Sequence, residues 1–97
     1  MLAPHITEAL DLLQEECAET TVVVSKIRRF GIDTAYIINE ESTATETKRS
    51  VLHQEIGDIL CLVDLLVEYE LLDASLLDTA KQRKREKLKK YSNLPGL

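Results

Sequence analysis

The sequence predicts an all-α fold, with about three helices per chain arranged as an antiparallel bundle that oligomerisation completes. Three observations carry this expectation. Apolar residues make up 44% of the 97 residues, and they are mostly Leu, Ile and Val with few aromatics. They recur at three-and-four spacing, which lines up one face of a helix, rather than alternating as in a strand. Prolines stand only near the ends, at Pro4 and Pro95, and only Gly31 and Gly57 interrupt the interior. Residues 1–97 form one domain, near the size at which a single core is only marginally adequate.

The first helix is expected from about Thr7 to Phe30, with Thr7 as its N-cap. Gly31 stands where a left-handed residue ends a helix, and Lys26, Arg28 and Arg29 complement the dipole of the last turn. Residues 31–42 carry Asp33, Thr34, Asn39 and Ser42 and read as a loop. Thr43 with Glu46 three positions later reads as a capping box opening a second helix that continues to about Leu71. Gly57 within it costs about 1 kcal/mol against Ala and leaves room for another backbone or a ligand. Asp73 is suited to cap a third, basic helix over about 73–92, which stops at Asn93, Pro95 and Gly96.

Several function classes are disfavoured. A net charge of -5 argues against a nucleic-acid binder, which needs a broad basic surface. No apolar run reaches the length of a membrane span, and the N-terminus lacks the basic-then-apolar layout of a signal peptide. Cys17 and Cys61 have no second Cys at metal-ligand spacing and read as buried small hydrophobes, so a structural disulfide is not expected and a reducing, cytoplasmic setting fits. The run KQRKREKLKK, Lys81 to Lys90, reads as a solvated helix face or, in a functional reading, as cations such as Lys84 or Lys87 that close over a triphosphate from the same or another subunit. Nucleic-acid binding is a third and less favoured option beside the acidic remainder.

The chemistry lies on the apolar stripes. Ala9, Leu12, Glu16, Glu19, Val23, Ile27 and Phe30 share one face of the first helix; Val51, Glu55, Asp58, Leu62, Leu65 and Tyr69 share one face of the second. Ionised carboxylates are costly to bury unpaired. Two acid pairs at i,i+3 spacing on facing helices can surround a divalent cation, and all-carboxylate ligation points to Mg²⁺, with Mn²⁺ as a substitute. Di-iron bundles place a His three residues after a Glu, and this chain has only acids there; His53 falls roughly opposite the acidic face. The alternative is that the acids pair with Arg or Lys of a neighbouring helix, or face solvent. Lys26, about 10 Å beyond Glu19 along the helix, and Arg29 are candidate phosphate-binding residues, in the absence of any Gly-rich phosphate cradle.

Glu15-Glu16-x-x-Glu19 followed by Glu55-x-x-Asp58 resembles the signature of the MazG-like nucleotide pyrophosphohydrolases. This all-α group of NTP pyrophosphatases includes the dimeric dUTPases and the phosphoribosyl-ATP pyrophosphohydrolases. The likeness covers most of the chain, through LLQEECAE, SKIRRFG, EIGDILCLVDLL and the basic REKLKKYSNL. It is nearest to the short single-domain type of phages and bacteria. The connection from Glu19 to Glu55 is longer than in many members, with the extra residues falling in the loop over 31–42. The resemblance implies a Mg²⁺-dependent enzyme that cleaves a (d)NTP between its α and β phosphates, giving a (d)NMP and pyrophosphate. It implies a homodimer or homotetramer, with Glu16, Glu19, Glu55 and Asp58 as metal ligands and Glu15 orienting or deprotonating the attacking water. The competing expectations are a non-catalytic helical oligomerisation or interaction module, whose acids only set helix pairing, and a nucleotide sensor.

Overall fold

A computed structural model describes residues 1–37 and 46–97. It is all-α: α1 spans Pro4–Phe30, α2 spans Lys48–Glu68 and α3 spans Ala74–Tyr91. α1 and α2 pack side by side and antiparallel. At one end the His5 and Tyr69 rings meet edge to face, 4.7 Å between centroids. At the other, the Arg49 N–H donates to the Ile32 carbonyl at 2.9 Å, and the Lys48 ammonium lies 5.5 Å from the Phe30 ring centroid.

Helix α1 begins earlier than the Thr7 cap expected for it. Pro4 occupies the first turn, where a missing N–H costs nothing, and Ala3 receives the N–H groups of Ile6 and Thr7. The run Thr20-Thr21-Val22-Val23-Val24 is β-branched, yet it stays helical. Val23 is buried against α2, and the two hydroxyls donate to carbonyls one turn back, Thr20 to Glu16 at 2.8 Å and Thr21 to Cys17 at 3.0 Å. Gly31 ends the helix with φ 98, as expected of a glycine there, and its N–H donates to the Ile27 carbonyl.

The chain then doubles back along the start of α2. Ala35 and Thr47 form an antiparallel bridge; the Tyr36 N–H donates to the Glu46 carbonyl and the Lys48 N–H to the Thr34 carbonyl. Asp33 takes a forked pair of bonds from Arg49 at 2.8 and 3.2 Å. The expected loop residues Asn39 and Ser42 and the Thr43 cap lie outside the described residues. The cap of α2 is Thr47, whose side chain accepts from the Ser50 N–H. Helix α2 stops at Glu68 rather than near Leu71. Glu70 turns the backbone to φ 63, and the Leu71 and Leu72 N–H groups both return to the Leu66 carbonyl. Asp73 caps α3 as expected, accepting from the Ser75 and Leu76 N–H groups.

The buried core is small: Ala9, Val23, Val51, Leu62 and Leu66. The inward line of α1 runs through Leu13, Glu16, Thr20 and Val23, not through Leu12, Glu19 and Phe30, which are exposed. Adjacent Leu12 and Leu13 are equivalent to a spacing rule. Thr20 goes inward in place of Glu19 because its hydroxyl is satisfied by its own helix. On α2, Ile59 takes the inward position that spacing assigned to Asp58, which is exposed. Cys17 and Cys61 are free and exposed, contrary to the expectation of burial. Each is next to an inward residue, Glu16 or Leu62, and one helical step turns a side chain by about 100°. Gly57 causes no break in α2, and among the described residues nothing beyond its own stretch of helix lies within 4 Å of the place where a Cβ would stand.

No residue of α3 is buried. An open apolar groove of about 780 Å³ runs between α3 and α2, with Leu60, Val63, Val67 and Leu77 among its walls. The Cα radius of gyration is 16.6 Å, against about 13 Å for a compact 100-residue domain. No helix among the described residues is long and apolar enough to cross a membrane.

Candidate metal centre

Glu16 stands at the middle of α1 and Glu55 in the second turn of α2, and antiparallel packing brings them level. One carboxylate oxygen from each of Glu16, Glu19 and Glu55 lies within 4.8 Å of the other two. Glu16 and Glu55 are half-buried, and Glu19 approaches from the exposed edge of α1. Glu16 Oε2 and Glu55 Oε2 are shielded from solvent and find no hydrogen-bond partner among the described residues.

Electrostatics mark the same place. The Glu16 carboxyl is pushed up to about 7, chiefly by the Glu55 carboxyl beside it, which favours its protonated form, then by burial, then by the negative charges of Glu19, Asp58 and Glu55. No cation among the described residues pairs with any of these acids: the ion pairs are Arg49–Asp33, Lys81–Asp78 and Lys89–Glu86. The salt-bridge alternative for the stripe acids therefore finds no partner within the described part of the chain. Three converging carboxylates, two of them with shielded oxygens that find no partner among the described residues, offer the hard oxygen donors that a divalent cation takes, so the residues fit Mg²⁺ or Mn²⁺.

Of the sequence-predicted site residues, the structure brings Glu16, Glu19 and Glu55 together. Asp58 is outside the three-acid group, on the exposed side of α2, although its charge acts on Glu16. Glu15 is exposed and one step around the helix from the converging face. Lys26 is half-buried, its ammonium 4.6 Å from the Tyr36 ring centroid. Arg29 is exposed and lies over Phe30, 5.2 Å from the ring centroid. His53 is exposed, and its Nδ1 donates to the Arg49 carbonyl at 2.9 Å, away from the acids.

One residue escaped the sequence reading. Lys48, only 5% exposed, donates to Thr34 Oγ1 at 2.6 Å and to the Ala35 carbonyl at 2.7 Å. A signal was there: Lys48 and Arg49 open a helix whose first turn holds no acid, against the preference of the dipole for negative charge. Cations tolerated in that position have tertiary work to do. No protein-family model, curated protein or solved structure matches the chain.

Proposed function

We propose that this chain is a Mg²⁺-dependent nucleoside triphosphate pyrophosphohydrolase of the MazG-like kind, cleaving (d)NTPs between the α and β phosphates to a (d)NMP and pyrophosphate. The observation that carries the reading is the convergence of Glu16, Glu19 and Glu55 on one point, with two shielded carboxylate oxygens that find no donor among the described residues. Glu16, Glu19 and Glu55 would hold the cation, and Asp58 would join them through a side-chain movement from the edge of α2. Bound Mg²⁺ offsets phosphate charge and lowers the pKa of the attacking water. Glu15, exposed beside Glu16, is the proposed acceptor of that water's proton. Lys26 and Arg29 supply positive charge toward the far end of the triphosphate. Two free, exposed cysteines fit a reducing cytoplasm.

The chain surface supports assembly as a homodimer or homotetramer. The accessible area is 7671 Å², about 2,000 Å² above the roughly 5,600 Å² of a compact 11.0 kDa monomer. A standard interface needs about 800 Å² per partner. Exposed apolar side chains at Leu12, Ile56 and Leu60 and along the α2–α3 groove are suited to be covered by further copies.

A second reading rests on the Glu16–Glu55 pair. One proton held by the pair removes a negative charge between the helices, so the acids would serve as a helix-pairing device in a non-catalytic self-association module. A panel of ribo- and deoxyribonucleoside triphosphates with Mg²⁺ separates the two. The enzyme reading expects pyrophosphate release with at least one nucleotide, abolished by EDTA. Orthophosphate as the only product, or no turnover across the panel, would sink it.

A further inference from the structure

Seven positions separate Glu19 from Lys26 on α1, and seven separate Lys48 from Glu55 on α2. Because the helices are antiparallel, both lysines stand about 10 Å from the acids, toward the same end of the pair. They line one cavity of about 430 Å³, whose other walls are Phe30, Thr34, Ala35 and Ile37. The hydrogen-bond partners of Lys48 are a hydroxyl and a carbonyl, both neutral, and its remaining N–H has the Phe30 ring beside it. Lys26 rests against the Tyr36 ring and meets no acceptor among the described residues. No carboxylate among the described residues pairs with either ammonium.

A buried ammonium without a counter-charge is costly, and an anion that reaches it recovers that cost. The cavity thus combines two positive charges, N–H donors and an apolar wall, and no acid is among the described residues that line it. Phosphoryl oxygens fit such a site, since a charged acceptor array can take donors from both lysines at once. We propose that Lys26 and Lys48 form a phosphoryl-binding pocket that holds the polyphosphate end of the substrate independently of divalent metal. The proposal rests on the nucleotide reading above for its ligand, but it is probed with metal absent, so the two fail separately.

The test is calorimetric titration of the full chain with inorganic tripolyphosphate in EDTA, with orthophosphate as a second arm. Tripolyphosphate should bind the parent, and more tightly than orthophosphate. Lys26→Gln should weaken it at least about tenfold, the effect of losing a charge-assisted hydrogen bond. Lys48→Met should weaken it further; if that variant does not fold, Lys26→Gln decides alone, since Lys26 makes no hydrogen bond among the described residues. Lys84→Gln, in the exposed basic run of α3, should bind like the parent. No tripolyphosphate binding by the parent, equal affinity in Lys26→Gln, or loss only in Lys84→Gln overturns the pocket. Equal affinity for orthophosphate overturns its assignment to a polyphosphate. Glu16→Gln should keep its tripolyphosphate affinity in EDTA; retention there with Mg²⁺ binding absent in the parent would uphold the pocket and remove the enzyme reading.

Discussion

A carboxyl held near neutrality makes metal binding a proton-releasing event, and the size of that effect follows from the site. With Glu16 at about 7, its ionised fraction is about one in eleven at pH 6, one half at pH 7 and ten in eleven at pH 8. A divalent cation takes the ionised form only, so its apparent affinity should rise about tenfold from pH 6 to pH 8 and flatten above. Titration with Mn²⁺ or Mg²⁺ in two buffers of different ionisation enthalpy reads both quantities. Proton release should approach one per site at pH 6, fall to about half at pH 7 and nearly vanish above pH 8. Glu16→Gln should bind metal more weakly and lose the slope. An affinity flat between pH 6 and 8 in the parent, or an unchanged slope in the variant, would refute the reasoning. The same group acts on the metal-free fold in the opposite sense. Its folded value is raised, so its stabilising contribution is complete below the ordinary value of 4.5 and is lost as pH climbs through about 7. The Glu16→Gln protein should therefore gain on the parent in melting temperature across that window.

Asp58→Asn should lower the metal-induced rise in melting temperature, which for the parent is worth about 2.7 kcal/mol at a metal concentration 100 times Kd. In EDTA it should leave stability unchanged or slightly raised; equal destabilisation in both buffers would make this acid structural. Glu70→Gly should stabilise the chain by about 1 kcal/mol in a denaturant titration, because glycine adopts the φ of 63 at that turn without strain; a loss of stability would contradict this account of the end of α2. Light scattering should give a mass of at least two chains, and a stable, active monomer would exclude a shared bundle. Asp73 is held below the usual carboxylate range, first by the Ser75 hydroxyl and then by the Leu76 and Ser75 N–H groups. Its cap is thus complete above pH 4 and lost as pH falls through its lowered value, so α3 helicity by circular dichroism should decline on acidification in the parent and stay flat in Asp73→Ala.

Helix type and number were legible in the residues because three-and-four spacing is a period that packing enforces. Ends were legible where a side chain performs the capping, as at Asp73, or where backbone geometry demands glycine, as at Gly31. Thr7 misled because Pro4 removes the need for a cap so early in the helix. The end of α2 was hidden because an ordinary glutamate, Glu70, adopts the positive φ. For the site, i,i+3 spacing identified the acids that converge but not their depth. Spacing places Glu16 and Glu19 alike, whereas packing against α2 half-buries the first and leaves the second at the exposed edge. Asp58 shows the same limit, displaced by its apolar neighbour Ile59. Lys48 was invisible to periodicity, since its burial depends on residues 32–36 folding back across the start of α2.

Helix α3, attached at Asp73 and buried nowhere, sets how the chain survives when alone. An isolated helix of about 15 residues is marginal in water, so α3 in a lone chain opens at little more than that cost while α1 and α2 stay paired. Its amides should exchange with solvent by this local opening, well ahead of those around Val23 and Leu66. The basic run from Lys81 to Lys90 is dense in sites for a protease that cuts after Lys or Arg, so each opening exposes cleavable backbone. Any assembly that covers α3 closes that route. Where that cover is a second copy, as proposed, the lifetime of the chain in the presence of proteases would depend on its own concentration, short when dilute and long when concentrated.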